Sequence, residues 1–503
     1  MSAYLAISGH EDHDVRPSSA NSHRSPRQRS SRGRKEVGVI GQASWLSSVI
    51  NLVNTIIGAG VLAMPLALSR MGIILGIFVI LWAGATAGFG LYLQTRCARY
   101  LERGSASFFA LSQITYPNAA VIFDAAIAIK CFGVGVSYLI IIGDLMPGVV
   151  EGFSENAASV SFLVDRHFWV TGFMLIVIPL SFLRRLDSLK YTSVIALISI
   201  SYLVILVVAH FIKGDTMQNR GPIRVVRWDS AVATLSSFPV IVFAYTCHQN
   251  MFSILNEIGN NSHFRTTSVV VASIGLAAFI YILVAITGYL SFGNSVLGNI
   301  VSMYSPSISS TIAKAAIVVM VMFSYPLQVH PCRASVDAVI KWRPIKRSES
   351  PGSSPSRLVS LLPGAKTGPQ TRGDGMGETR FAAITTAIIV LSYIVAMTVS
   401  SLEKVLAYVG STGSTSISFI LPGLFYYKIS SPDSPHHQRL MKEDDDEQED
   451  TADDDENLLG GGLKGGLWRK KLLRRASLAL AIYGGVVMVT CLVTNTLFVV
   501  ATH

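Results

Sequence analysis

Apolar residues along this chain gather in long windows separated by polar stretches. Eleven windows are long enough to matter: about 44–68, 72–96, 119–150, 168–184, 189–212, 231–257, 266–291, 309–340, 380–400, 402–427 and 475–499. Crossing the hydrocarbon of a bilayer takes about 20 apolar residues in a helix. The pattern predicts an all-α polytopic membrane protein with eleven transmembrane helices. Residues 44–341 hold helices one to eight, 380–428 helices nine and ten, and 474–503 helix eleven. Residues 1–43, rich in Ser, Arg, His and Pro, read as a disordered tail. Residues 342–379 read as a disordered linker, and 429–473 as an acidic one containing Glu443–Glu447 and Asp453–Glu456. Those acidic runs lack the Gly-punctuated ligand alternation of a calcium loop, so they read as self-repelling solvated chain.

Two windows are interrupted at their centres. The first reads Asn51-Leu-Val-Asn54-Thr55-Ile56-Ile57-Gly58-Ala59-Gly60-Val-Leu-Ala-Met64-Pro65. Two glycines around an alanine, with a proline following, make a poor helix interior. The sixth has Ser237-Phe-Pro239 near its start and Tyr245-Thr-Cys-His248-Gln-Asn250 in its middle. Discontinuous helices in first and sixth position point to a five-plus-five inverted repeat, with helix eleven outside it.

Half of the residues are hydrophobic and 14% are charged, which no soluble core explains. The net charge of +10 raises a nucleic-acid reading. The bases, however, sit in the tails and in alternate connections, among them Arg96, Arg99 and Arg103, Arg184, Arg185 and Lys190, and Arg265. The opposite connections keep chiefly Lys213, Arg220, Arg224 and Arg227. That asymmetry places the N-terminus in the cytoplasm and, with an odd span count, the C-terminus on the far side. No apolar signal region lies in the first 40 residues, so the first span is expected to act as the anchor. The five cysteines form no CxxC pair and suggest neither a metal site nor a disulfide framework. HExxH, GxSxG and paired-carboxylate signatures are absent, which argues against an intramembrane enzyme.

Polar groups within spans are expensive and so are functional candidates. A half-helix beginning at Gly58, Ala59 and Gly60 would turn bare N–H groups and a positive dipole end towards a carboxylate. Asn54, Thr55 and the carbonyls ending the preceding half, with Ile57 in the same stretch, would hold an α-ammonium or a cation. The alternative makes Gly58 and Gly60 a packing face. In span six, Tyr245, His248, Gln249 and Phe252 are spaced to share one helix face. Phe243 and Tyr245 would then shape a side-chain pocket, and His248 would either couple protons or bond a neighbouring helix. Span three carries Lys130, Ser137 and Asp144 on one stripe, with Tyr138 beside it. Lys130 would relay protons or replace a sodium ion; a structural ion pair, with Asp124 or another acid, is the alternative. In span eight Pro326 and Pro331 predict a kink that frees carbonyls near Ser324, a cation-site ligand. The run Gly410–Thr415 in span ten permits close helix approach or a pore-lining kink, close packing being the more common reason for such a run.

Three stretches, Asn54–Pro65, Phe243–Asn250 and Ser324–Arg333, together resemble signatures of the amino acid/auxin permease family. The similarity is greatest to its fungal vacuolar amino acid exporters, relatives of the sodium-coupled neutral amino acid transporters. The resemblance implies eleven spans in an inverted repeat, amino acid transport and a vacuolar membrane. In the sodium-coupled relatives an Asn matching Asn54 and a hydroxyl residue matching Ser324 contribute to the cation site. Ser in place of Thr at 324, and Lys130 within the membrane, favour protons over sodium here. The expected function is proton-coupled secondary transport of an amino acid towards the cytosol, with no cofactor. The expected partners are the amino acid and the bilayer, not nucleic acid. The alternative is a non-transporting amino acid sensor on the same scaffold.

Overall fold

The computed structural model describes residues 41–154, 159–183, 189–259, 261–342, 376–440 and 462–501. The readings of residues 1–40 of the tail, of most of the 342–379 linker and of 441–461 in the acidic linker fall outside those residues, while 462–473 of that linker belong to the last long helix. What is described is almost wholly helical, and its only β pairing is an isolated bridge between Ala43 and Ile258.

The first apolar window folds as two helices, α1 (Trp45–Ile56) and α2 (Gly60–Met71), bent by 59°. Ser44 caps α1 by accepting from the Ser47 N–H, and Ile57 closes it by donating to the Val53 carbonyl. Then the chain unwinds. Pro65 sits inside α2, well past the break, so the glycine pair and not the proline interrupts the span. Helix α3 (Ile73–Ala98) follows at once, because Gly72 adopts φ 77° and turns the chain back in a conformation that suits glycine. After the short α4 (Phe108–Thr115) come α5 (Ala120–Phe153), α6 (Ser161–Val164), α7 (Arg166–Ser181) and α8 (Leu189–Lys213).

The sixth window is also two helices, α9 (Ala231–Ala244) and α10 (His248–Glu257). It counts as one 27-residue span across its interruption. Helices α11 (His263–Phe292), α12 (Ile308–Lys341) and α13 (Glu378–Thr398) complete the next three windows. The tenth combines α14 (Leu402–Val409), two π-helical stretches over Gly410–Ser414 and Ser416–Ile420, and α15 (Leu421–Ile429). The last long helix is α16 (Gly462–Ala501).

Every apolar window thus contains helix, but length and apolarity alone establish fewer spans than the eleven expected. Among the described residues eight helices qualify, and nine spans result when α1 and α2 count as one. Helix α7 is too short for that test, and the tenth window is too subdivided. The kink expected in span eight does not break it, since Pro326 and Pro331 both lie within the continuous 34-residue α12.

Glycines decide how closely the segments approach. A Cβ on Gly60 would lie 2.5 Å from the Ala244 Cβ, and one on Gly410 would lie 2.0 Å from the Pro239 carbonyl oxygen. One on Gly413 would lie 2.8 Å from the Lys130 backbone nitrogen. The small-residue run of span ten is therefore a packing surface against spans three and six. At one end of the bundle the chain before α1 is tied to the end of α10: the Ala43 N–H donates to the Glu257 carbonyl at 2.8 Å. At the other end the segment before α9 is tied to the end of α2, with the Asp229 N–H donating to the Arg70 carbonyl at 2.9 Å.

Candidate functional site: the cavity at the broken span

Helix α2 starts without a side-chain cap. Val61 and Leu62 donate back to the Gly58 and Ala59 carbonyls at 3.2 and 3.3 Å, a tight first turn. The N–H groups of Gly58, Ala59 and Gly60 find no acceptor among the described residues. Orphan donors cost several kcal/mol in hydrocarbon, so they persist where a ligand or water can reach them. Such a space is present. A cavity of about 830 Å³ is lined by Asn54, Thr55, Ile57, Gly58, Ala59 and Gly60, with Lys130, Val134 and Tyr138 from α5. Phe243, Ala244 and Thr246 come from the interrupted sixth span, and Ser324 from α12. A Cβ on Gly58 would meet nothing within 4 Å, so this glycine faces open space whereas Gly60 is wedged against Ala244. The two glycines do different jobs.

The cavity continues past Asn51, Ile50 and Ser47 on α1 and past Asn250, Ser253 and Glu257 on α10, all exposed. It therefore opens on the face that carries the start of α1 and the end of α10. Beyond the break, Leu62, Met64, Val240 and Ile241 are buried and close the opposite side. On that closed side the Arg70 guanidinium pairs with the Glu403 carboxylate at 2.8 Å, joining α2 to α14.

The polar inventory suits a small zwitterion. Asn54 Oδ1 and Gln249 Oε1 are buried without a partner among the described residues. Asn250 Nδ2 donates to Thr55 Oγ1 at 3.2 Å, linking spans one and six across the cavity. Ser324 Oγ donates to the Met320 carbonyl at 2.7 Å. Lys130 is only 5% exposed, and its ammonium makes no hydrogen bond or ion pair among the described residues. A buried ammonium without a counter-ion is costly, so its exposure to the cavity is its means of meeting a charge or water. Among the described residues no three His, Cys, Asp or Glu side chains gather as a metal site.

Two expected site residues lie elsewhere. Tyr245 and His248 do not line the cavity and do not share a helix face, because the helix stops at Ala244 and resumes at His248. Both turn towards α3, where glycines make room: a Cβ on Gly84 would lie 3.1 Å from the Tyr245 ring, and one on Gly90 would lie 2.9 Å from His248 Nε2. His248 Nε2 is 3.1 Å from the Ala87 carbonyl oxygen. The span-three stripe divides as well: Asp144 pairs with Arg166 at 3.6 Å, and Ser137 donates to the Val134 carbonyl at 2.7 Å. Sequence reasoning missed Tyr281 of α11, whose hydroxyl reaches both helix breaks. A tyrosine in the middle of an apolar window was the available signal.

The profile of the transmembrane amino acid transporter protein family matches residues 41–444. This chain belongs to that family. The transporter is 43% identical over 461 residues to vacuolar amino acid transporter 5 of Schizosaccharomyces pombe, covering 91% of this chain and 95% of the relative. It is 41% identical over 408 residues to vacuolar amino acid transporter 6 of Saccharomyces cerevisiae, covering 77% and 90%. Among solved structures, the crystal structure of MhsT in complex with L-phenylalanine matches with a TM-score of 0.52 at 12% identity. That match covers 90% of this chain and 100% of the other, and it shows the fold alone. The family is one of transporters, so the transporter is not an enzyme, and the resemblance first seen in three motifs is shown over most of the chain.

Proposed function

We propose that this transporter moves amino acids across the vacuolar membrane as a secondary active carrier, coupled to protons and running towards the cytosol. The observation carrying the proposal is the break between α1 and α2, where Gly58, Ala59 and Gly60 line the cavity and their N–H groups have no partner among the described residues. There the α-carboxylate would sit on the amides of Gly58, Ala59 and Gly60 at the positive end of α2. The α-ammonium would meet Asn54 Oδ1 and Thr55, and Tyr138 and Phe243 would border the substrate side chain. The names of the two yeast relatives support both the substrate class and the membrane.

In this reading the chain crosses the bilayer eleven times, ten spans forming an inverted repeat, with the N-terminus cytoplasmic and the C-terminus luminal. The cavity then opens to the cytosol. Lys130 is the coupling group, with Ser324 in reserve as a cation ligand if sodium takes part. An acidic lumen supplies about 1.4 kcal/mol per proton for each pH unit. A lumen-positive potential adds about 2.3 kcal/mol per charge per 100 mV. The sensor reading draws no support from relatives that are named transporters.

The test is uptake by proteoliposomes of the purified protein, scanning labelled amino acids with and without an imposed pH gradient. Gradient-driven accumulation and counterflow of at least one amino acid are expected. Binding without counterflow would overturn the transport reading, and counterflow without any accumulation driven by the pH gradient would overturn the coupling.

A further inference from the structure

Helix α11 carries Tyr281, whose side chain is fully buried. Its hydroxyl oxygen lies 2.7 Å from the Ile56 carbonyl oxygen and 2.8 Å from that of Ala244. These are not arbitrary carbonyls. Ile56 is the last residue of α1 and Ala244 the last of α9, so each carbonyl is left over where its span unwinds. Carbonyls released at the ends of two half-helices and turned to one point are the ligands with which broken-helix transporters coordinate sodium. In this protein the point is filled by a covalently tethered O–H donor.

We propose that the Tyr281 hydroxyl stands where the two broken spans would otherwise hold a monovalent cation, and so fixes the substrate cradle without sodium. A phenol has one proton to give, and here two acceptors share it. The shared proton offsets the repulsion of two facing carbonyl dipoles and sets the separation of the two breaks. The surroundings keep the hydroxyl in place. The Tyr245 ring packs edge-on against Tyr281 with centroids 5.1 Å apart, and Gly60 lets α2 press directly on Ala244. Because the Ile56 carbonyl is two residues from Gly58, its anchoring sets where the cradle amides point. Tyr281 is thus a positioning residue: it does not line the cavity, yet it holds the main chain that does.

This inference rests on the reading of the Gly58–Gly60 break as the amino acid cradle, and its test separates the two. Purified full-length protein is compared in sodium chloride and choline chloride at one pH and ionic strength. Thermal unfolding is read in both salts, and so is KM for a labelled amino acid in proteoliposomes. The unsubstituted protein is expected to show the same melting temperature and the same KM in either salt. Tyr281→Phe, which keeps the ring, is expected to raise KM about tenfold in both salts while turnover changes less than about twofold. A merely structural tyrosine would lower the melting temperature and leave KM alone. A sodium-dependent melting temperature or KM in the unsubstituted protein overturns the proposal, and so does an unchanged KM in Tyr281→Phe. If no amino acid moves in any condition, the transport reading fails instead, and a sodium-dependent melting temperature of the unsubstituted protein would still overturn the replacement of the cation by Tyr281.

Discussion

Gly60 and Ala244 touch where the two interrupted spans cross: a methyl group added to Gly60 would stand 2.5 Å from the Ala244 Cβ and 2.8 Å from its Cα. No flexible side chain can yield there, because the obstacle is the start of another side chain and its backbone. Gly60→Ala is therefore expected to push α2 away from α9, costing about 1–3 kcal/mol of stability. Gly58→Ala has open space instead and should melt like the parent while narrowing the cradle. Thermal unfolding beside uptake kinetics separates them: Gly60→Ala loses folded protein, and Gly58→Ala loses affinity. Equal behaviour of the two variants would refute this division of labour.

The Arg70–Glu403 pair lies on the side of the break that is closed in this structure, and each side chain is about a quarter exposed (24% and 22%). Glu403→Gln removes the charge that holds α2 against α14 and leaves Arg70 without it. The variant should populate the state open on that face more heavily. A cysteine placed at Leu66, which is 9% exposed, reports it. All five native cysteines are buried, so background labelling is low. Labelling by an impermeant maleimide is expected to rise several-fold in Glu403→Gln, and an unchanged rate would remove the pair from any gating role.

Lys130 and His248 were equivalent coupling candidates by residue type, and their positions differ. Lys130 lines the cavity without an ionic partner among the described residues, whereas His248 is off the cavity against the Ala87 carbonyl. Lys130→Ala is expected to abolish the response of transport to a pH gradient while preserving exchange of labelled for unlabelled amino acid. His248→Ala should keep the pH response and lower the melting temperature, since it removes a buried contact between α10 and α3. The reverse pattern would transfer the coupling role to His248.

Gly410 faces the Pro239 carbonyl oxygen so closely that a Cβ would lie 2.0 Å from it. Gly410→Ala should therefore separate span ten from span six and destabilise the protein by about 1–3 kcal/mol. Monodispersity and melting temperature in detergent check this. A variant as stable as the parent would mean that the π-helical stretch absorbs the methyl group.

Much of this architecture was readable along the chain. Apolar windows mark helices because in hydrocarbon the backbone must satisfy itself within the segment. The glycine pair at 58 and 60 marks the break for the same local reason: the preference against helix belongs to those residues. Which side chains meet is a different matter. A period of 3.6 residues placed Tyr245 and His248 on one face only on the assumption that the helix runs through, and it stops at Ala244. The stripe of Lys130, Ser137 and Asp144 was a true helical register, yet neighbours divided it, because Arg166 arrives from α7 to take Asp144.

The sequence by itself determined the helices, the broken first span and the family motifs, since each depends on residues within about a dozen positions of one another. Tertiary structure alone decided the cavity's members, the different tasks of Gly58 and Gly60, and the reach of Tyr281 to Ile56 across 225 residues of chain. Those contacts depend on how separate helices cross, and helix crossing is set by packing between distant segments that no local pattern records.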